Sequence, residues 1–491
     1  MPQRSGAGSA QRSVSLSRRI QGPTVEWVTT VCVVLLADSE RPPMTDVLRC
    51  GDPHHPDYLD EEATRTELTR TFDVCNGCRR CVDRCDAFPT LFDLLDQRDE
   101  AGDLTPFEQD RVVGSCHHCG LCVMACPYAP GVARAAGDEA QPVDVPRLML
   151  RARAMNVVAG HASPSDRRAT RTLGAVDRLG SLGVRFDTAA NRVVSAEPGS
   201  RSRRITERVT GVSAIRLLAP YARERFSTWF RRRPRVTLRK RRSRVTVYPT
   251  CLVEYHEVGI GKDLVAVYER NGIECTISTS GCCGAPSLHG GDLDRFRAIA
   301  KRNVERFSSE VADGVDLIVP QAACASVLRR AYPEHVSPDQ RGDAELVAQH
   351  VRDAAEYLLE LHQSGDARLD TDFAGELPDS ITYHAACHQR VDADRYAARD
   401  LLRLTGARVD LVQQCAGPGE TWGLRPAHAD AVSSRAALLV DRLDRDGATV
   451  VVSECHRANL SISEHSVPDA ERSVAHPIQV LARAYGISDH L

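Results

Sequence analysis

The sequence predicts an α+β multidomain protein, a small cysteine-dense helical domain ahead of two tandem α/β domains. Three observations carry that expectation. Eight cysteines fall in two short runs between residues 61 and 150. From residue 246 onward, short β-branched runs alternate with helical stretches, the pattern of a parallel sheet with covered faces. The last part of the chain also repeats the order of the part before it. A Cys-Cys-Gly corner in "SGCCGAPS" returns as Cys-Ala-Gly in "QQCAGPGE".

Composition narrows the class. The chain has 491 residues, 42% of them hydrophobic, and a formal net charge of −3, enough for several cores and not the profile of a nucleic-acid coat. Of 18 cysteines, Cys32, Cys50 and Cys275 stand apart from the clusters. Clustered cysteines in a large charged chain point to metal binding in a reducing compartment rather than to a disulfide framework. The most apolar stretch, "VEWVTTVCVVLLA" at 25–37, is too short to span a bilayer. It follows "SRRIQ", but no small-residue cleavage site comes after it, so an export signal is the lesser reading.

The elements follow in order. Residues 1–60 read as disordered or as a mis-called N-terminal extension, with Met44 the expected start. Residues 61–145 form the cysteine-dense domain. Residues 146–245 form a basic helical linker, with "VPRLMLRARAM" a helical patch. Nine of the fifteen residues from 231 to 245 are Arg or Lys. That run reads either as a solvated linker or as a strip for an anionic surface or acidic partner, with Trp229 and Phe230 beside it as interfacial anchors. Residues 246–375 and 376–491 form the two α/β domains, the second depleted in cysteine. Helices are expected at 261–271, 293–308, 393–405 and 427–444. Strands leading to Cys251, Cys324, Cys387 and Cys455 place those sulfurs at the carboxyl edge of each sheet, where open α/β sheets build their sites.

The two runs "CNGCRRCVDRC" and "CHHCGLCVMACP" have the bacterial ferredoxin spacing. Three close thiolates hold one cubane and the fourth serves the other. Cys75, Cys78, Cys81 and Cys126 are thereby assigned to one [4Fe–4S] cluster, and Cys116, Cys119, Cys122 and Cys85 to a second. Structural zinc, the alternative, uses pairs of cysteines across a long spacer rather than runs of four. Asp86 stands where proline commonly follows the first run, which leaves the ligands intact.

The chain resembles the iron–sulfur C subunit of anaerobic glycerol-3-phosphate dehydrogenase. It also resembles the wider group with the cysteine-rich (CCG) domain of heterodisulfide reductase and of glycolate oxidase iron–sulfur subunits. The matching pieces include "YPTCLVEYHEVGIGKDLVAVYERNGI", "GCCGAPSLHGGDLDRFRAIAKRNVE", "TYHAACHQR", "TWGLR" and "HPIQVLARA". The resemblance implies a helical two-[4Fe–4S] ferredoxin-type domain followed by two tandem α/β cysteine-rich domains. It also implies metal-binding roles for Cys251, Cys282, Cys283 and Cys324 in the first repeat, with room for a third iron–sulfur centre. In the second repeat it implies such roles for Cys387, Cys415 and Cys455. For the Cys282–Cys283 pair of the first repeat, free or disulfide-linked thiols are the alternative. Family members have cysteine where this chain has Ala416, and often where it has Ala458. His388 or His456 could substitute, since imidazole ligates iron in Rieske centres. Otherwise the second repeat is a scaffold or holds an incomplete centre.

The function expected from this pattern is electron transfer between a partner flavoprotein dehydrogenase, or another redox protein, and a quinone or other acceptor. Flavin and substrate sites belong to the partner, because no dinucleotide fingerprint is present. No catalytic residue is assigned. The alternative is a heterodisulfide-reductase-like enzyme reducing a disulfide at the first repeat. No nucleic acid is expected as a partner. The expected place is the cytoplasm, with peripheral contact on the inner face of the membrane.

Overall fold

A computed structural model of the chain describes residues 51–84, 87–130, 142–234, 236, 242–365, 368–392, 396–417, 421–467 and 472–488. The N-terminal segment with Cys32, Met44 and Cys50, the fourth cysteine of the first run (Cys85) with Asp86, and part of the basic run lie outside the described residues.

The β-branched runs form two sheets of four short strands. The first holds β1 (Ser243–Val247), β2 (Ile273–Ile277), β3 (Asp316–Ile318) and β4 (Val351–Arg352), in the order β2-β1-β3-β4. The second holds β5 (Ser380–His384), β6 (Arg408–Val412), β7 (Val450–Val452) and β8 (Ser473–Ala475), in the order β6-β5-β7-β8. Every pairing is parallel, so each connection must cross over a face, and helices do so. The first crossover is Val258–Arg270 and the second Leu293–Val311, while Ala429–Arg445 serves the second sheet. Asp292 caps the Leu293 helix by accepting from the Arg295 amide at 3.3 Å.

The two sheets share apolar ground. Val245, Val247 and Leu264 of the first half and Ile381, Tyr383 and Val480 of the second belong to one buried cluster. Cys275, which stood apart in the sequence, faces that core from β2 and is buried there. Its role is packing.

The cysteine-dense region is helical. Glu61–Cys78 starts at Asp60, whose carboxylate accepts from the Ala63 amide at 2.8 Å. Pro106–Ser115 opens with a Thr105/Glu108 capping box and proline in the first turn. Leu68, Phe72, Phe88, Leu91, Phe92 and Val112 fill the core between them, joined by Leu148 and Met149 of helix Val145–Val158. That helix also carries Arg153, which ties three regions together. Its guanidinium donates to the carbonyls of Val113 (2.8 Å), Cys116 (2.7 Å) and His289 (2.9 Å).

Helices Pro164–Gly174, Val176–Arg185, Asp187–Val194 and Arg201–Thr210 follow; the first two pack on Ala285–His289 and Thr250–Tyr255 of the first α/β half, and the last two pack on the first two. Arg216, 1% exposed, meets Glu464 at 3.1 Å, and Arg425 meets Asp166 at 2.6 Å. Trp229 and Phe230 are half-buried against the first sheet's core, with Arg233 over both rings. No helix among the described residues is long and apolar enough to cross a membrane.

Candidate iron–sulfur sites

Cys75 and Cys78 lie one turn apart at the end of helix Glu61–Cys78 and therefore share a face. Arg79 then takes a left-handed conformation (φ 50°), which turns the chain back and brings Cys81 round. Arg79 is fixed there by an ion pair to Asp96 at 2.6 Å and by the Phe92 ring. Cys126 arrives from the second run, and these four cysteines line one pocket with Cys122, Phe88, Phe92, Tyr128 and Val143. Burial pushes the Cys75 thiol up to about 12, and Cys126, Cys81 and Cys78 add to it. Burial likewise pushes Cys81 up to about 11, again with Cys126 and Cys78 adding. Thiols that oppose one another's ionisation become thiolates readily only against a cation, the charge that iron supplies. This donor set fits a cluster.

Cys116, Cys119 and Cys122 of the second run are all buried. Burial holds the Cys116 thiol up at about 11. At Cys119 burial acts in the same direction, but the charge and hydrogen bond of His117 outweigh it and the thiol is lowered. His118, with φ 54°, stacks on His289 of the first repeat at 5.3 Å, and His289 faces His388 of the second at 6.4 Å. The second run therefore docks where the two α/β halves meet.

In the first repeat Cys251 follows β1, Cys282 and Cys283 follow β2, and Cys324 follows β3. All four stand at the carboxyl edge of the sheet, as the sequence implied. Cys283 and Cys324 have their sulfurs 3.3 Å apart, and Cys282 hydrogen-bonds both Cys251 and Cys283. All the described cysteines are free thiols. The corner's backbone is pinned from behind. Asn303 donates to the Cys282 carbonyl (3.0 Å), Tyr332 to the Cys283 carbonyl (3.0 Å) and Tyr248 to the Gly281 carbonyl (2.7 Å). Asp177 accepts from the Cys282 amide at 2.9 Å, and the Gly284 amide donates to the Cys282 sulfur at 3.4 Å. Those hydrogen bonds with Cys251 and Cys283, reinforced by the Gly284 amide, hold the Cys282 thiol well below its ordinary value. Beside Cys251, Thr250 has φ 56° and a buried hydroxyl with no hydrogen-bond partner among the described residues. A left-handed β-branched residue is strained. An orphaned donor next to four thiols fits a group with sulfide or thiolate acceptors.

The second repeat copies the geometry. Cys387, Cys415 and Cys455 follow β5, β6 and β7, and the Gly417 amide donates to the Cys415 sulfur at 3.3 Å. Ala416 stands where the first repeat has Cys283, its carbonyl held by Ser461 at 2.7 Å. Ala416 and Ala458 line one cavity with Cys387, Cys415 and Cys455. Of the two histidines named from sequence, His388 lines that cavity and His456 does not; His456 lies 3.9 Å from Glu257. Besides His384 and Ala386 of the repeat itself, two lining residues from outside it were not foreseen. His117 and Cys119 reach the same cavity from the ferredoxin-type region. Among the described residues no three His, Cys, Asp or Glu side chains converge as they would on one metal ion.

The comparisons with known proteins agree with this chemistry. Residues 67–127 match the family model of the 4Fe-4S dicluster domain, and residues 245–329 match that of a cysteine-rich domain. The chain is therefore an iron–sulfur protein with a dicluster domain ahead of a CCG-type cysteine-rich domain. It is homologous to the C subunit of the anaerobic glycerol-3-phosphate dehydrogenase of Escherichia coli (strain K12). The two are 26% identical over 316 residues, 64% of this chain and 76% of the relative. It is also 27% identical over 190 residues to lactate utilization protein A of Bacillus thuringiensis (strain Al Hakam), covering 37% of this chain and 75% of that one.

Proposed function

We propose that the chain is the electron-transfer subunit of a flavoprotein dehydrogenase of the glycerol-3-phosphate dehydrogenase type, working between that partner and a quinone or other acceptor. One observation carries the reading. Cys126 of the second run lines the same pocket as Cys75, Cys78 and Cys81 of the first, the interleaving that paired cubanes require. Cys75, Cys78, Cys81 and Cys126 would hold one [4Fe–4S] cluster, and Cys116, Cys119, Cys122 and Cys85 the other. Cys251, Cys282, Cys283 and Cys324 would hold a third centre. Such clusters, when bound, supply one-electron carriers.

The chain's own residues do the rest. Phe88, Phe92 and Tyr128 exclude water from the first cradle. The amides of Gly284 and Gly417 each donate to a sulfur, which favours the thiolate and tunes any cluster bound to it. Cytoplasmic placement, peripheral on the inner membrane face, is part of the proposal and draws on the basic run at 231–245.

A second reading, disulfide reduction at the first repeat, is favoured by one feature. A cleft of about 710 Å³ opens beside Cys251, lined by Arg178, Arg225, Thr250, Tyr255 and Ser280.

Iron and acid-labile sulfide per chain, with EPR on reduction, test the assignment. Two cubanes alone give about 8 irons, which would remove the ligand role from Cys282 and Cys283. About 12 irons, falling to about 8 in Cys283→Ala, supports a third centre in the first repeat. Co-purification with a flavoprotein supports the transfer role, whereas turnover of a disulfide by the isolated chain supports the second reading.

A further inference from the structure

The second repeat lacks a thiolate at Ala416 and another at Ala458, yet the cavity they would have served is intact. Four cysteines line it: Cys387, Cys415 and Cys455 of the repeat and Cys119 of the ferredoxin-type region. The two alanine methyls occupy less of its wall than two cysteines would. On the open side stands an imidazole that the repeat does not own, that of His117.

Its position is built. The ring is buried, 6% exposed, and lies 5.6 Å from the Trp422 ring. Trp422 is itself held from two sides. Its indole donates to the Gly114 carbonyl at 2.7 Å, and its far face stacks on His428 at 3.9 Å. His117 hydrogen-bonds the Cys119 sulfur and acts electrostatically on Cys415. An imidazole has two nitrogens, and the hydrogen bond made by one selects the other for a metal.

The other histidines near the cavity serve less well. His384 is engaged at both nitrogens, by the Ser453 hydroxyl at 3.1 Å and the Gln414 carbonyl at 2.9 Å. His456 does not line the cavity. His388 lines the cavity too, but its ring is stacked against that of His289 at 6.4 Å.

We propose that the second repeat holds an iron–sulfur centre ligated by Cys387, Cys415, Cys455 and, in place of the thiolate missing at Ala416, the imidazole of His117. Cys119 remains with the neighbouring ferredoxin-type cluster, so His117 also joins the two sites physically. This rests on the reading of the chain as a cluster-binding protein. The site it adds is separate from the first repeat.

The test uses the full chain purified anaerobically, with pulsed EPR for nitrogen coupling and iron per chain as readouts. The expected result is an EPR signal, removed in Cys415→Ser together with its iron, that carries a strongly coupled nitrogen. His117→Cys should keep that iron and lose the nitrogen coupling, and His117→Ala should lose the same iron as Cys415→Ser. Iron content unchanged in Cys415→Ser would overturn the proposal, as would a nitrogen coupling that survives in His117→Cys. In either of those cases signals from about 8 irons of the two cubanes would still be present. Their absence would instead bring down the underlying reading.

Discussion

Replacing Gly284 by alanine should damage the first corner by an amount that a second glycine can calibrate. Gly284 sits at φ +87°, and a Cβ there would meet the Phe296 ring at 2.9 Å and Ile299 at 3.3 Å. Phe296 is fully buried and flanked by Tyr332 at 5.9 Å and His335 at 5.4 Å, so its ring has nowhere to go. The left-handed backbone alone costs an alanine about 1–2 kcal/mol. Forcing a methyl into a packed wall adds about 1–3 kcal/mol. Gly406 is the control. Its φ is +89°, and a Cβ added there meets nothing within 4 Å, so only the backbone cost of about 1–2 kcal/mol applies. The two variants should be compared by urea midpoint under matched anaerobic conditions, with iron per chain measured on each. Gly284→Ala should be the less stable by about 1–3 kcal/mol and should lose iron, while Gly406→Ala keeps it. Equal destabilisation of the two would refute the claim that the corner is packed to the limit of a glycine.

Three further outcomes follow from named contacts. Cys126→Ser should abolish the same EPR signal as Cys75→Ser and leave the one removed by Cys116→Ser. Loss of the Cys116 signal instead would undo the crossed assignment. Burial raises the Asp353 carboxyl to about 6 from an ordinary value of 3.8. A carboxyl raised in the folded state contributes its stability below the unfolded pKa and loses it as pH climbs through the folded one. Wild type should therefore lose roughly 3 kcal/mol between about pH 4 and pH 6–7. Asp353→Asn, which keeps an acceptor for the Ala355 amide (2.8 Å in the wild type), should flatten that slope in denaturant titrations. Glu464→Ala strands Arg216 in the interior and should cost about 3–5 kcal/mol. A change below about 1 kcal/mol, the scale of an exposed pair, would mean that water reaches the site.

Much of the α/β part was legible because its signals are local. The stretch 293–308 reads as a helix from its apolar spacing, and Leu293–Val311 is one. The strand-then-cysteine order was enough to place Cys251, Cys324, Cys387 and Cys455 at the sheet edges. The stretch 393–405 fared less well, for only Ala397–Arg403 is helical and 393–395 lie outside the described residues. The arginine-rich middle was the least legible. Pattern reading treats arginine as solvated, yet Arg203 and Arg216 are buried, 2% and 1% exposed. Arg203 is held there by donating to the carbonyls of Val194, Ser213, Ala214 and Arg216. No periodicity announces a guanidinium used as a cap for loop carbonyls. The approach of His117 to Cys415 was equally hidden. It depends on docking between regions far apart in sequence, and the histidine pair in "CHHC" carries no signal of its own.

The second repeat also bears on why a corner would keep its shape after losing a sulfur. Gly417 has φ +72°, and a Cβ there would meet the Val432 carbonyl at 2.4 Å, so the position admits glycine alone. Its amide still points at Cys415 as that of Gly284 points at Cys282, 3.3 Å against 3.4 Å. A scaffold has no use for an amide aimed at a sulfur. Cys415 is drawn down to about 6, first by its hydrogen bond with Cys387, with His117 and the Gly417 amide helping. The same hydrogen bond pushes the Cys387 thiol well up. Three thiols arranged in this way, with an imidazole from the neighbouring region beside them, have the chemistry of a ligand set.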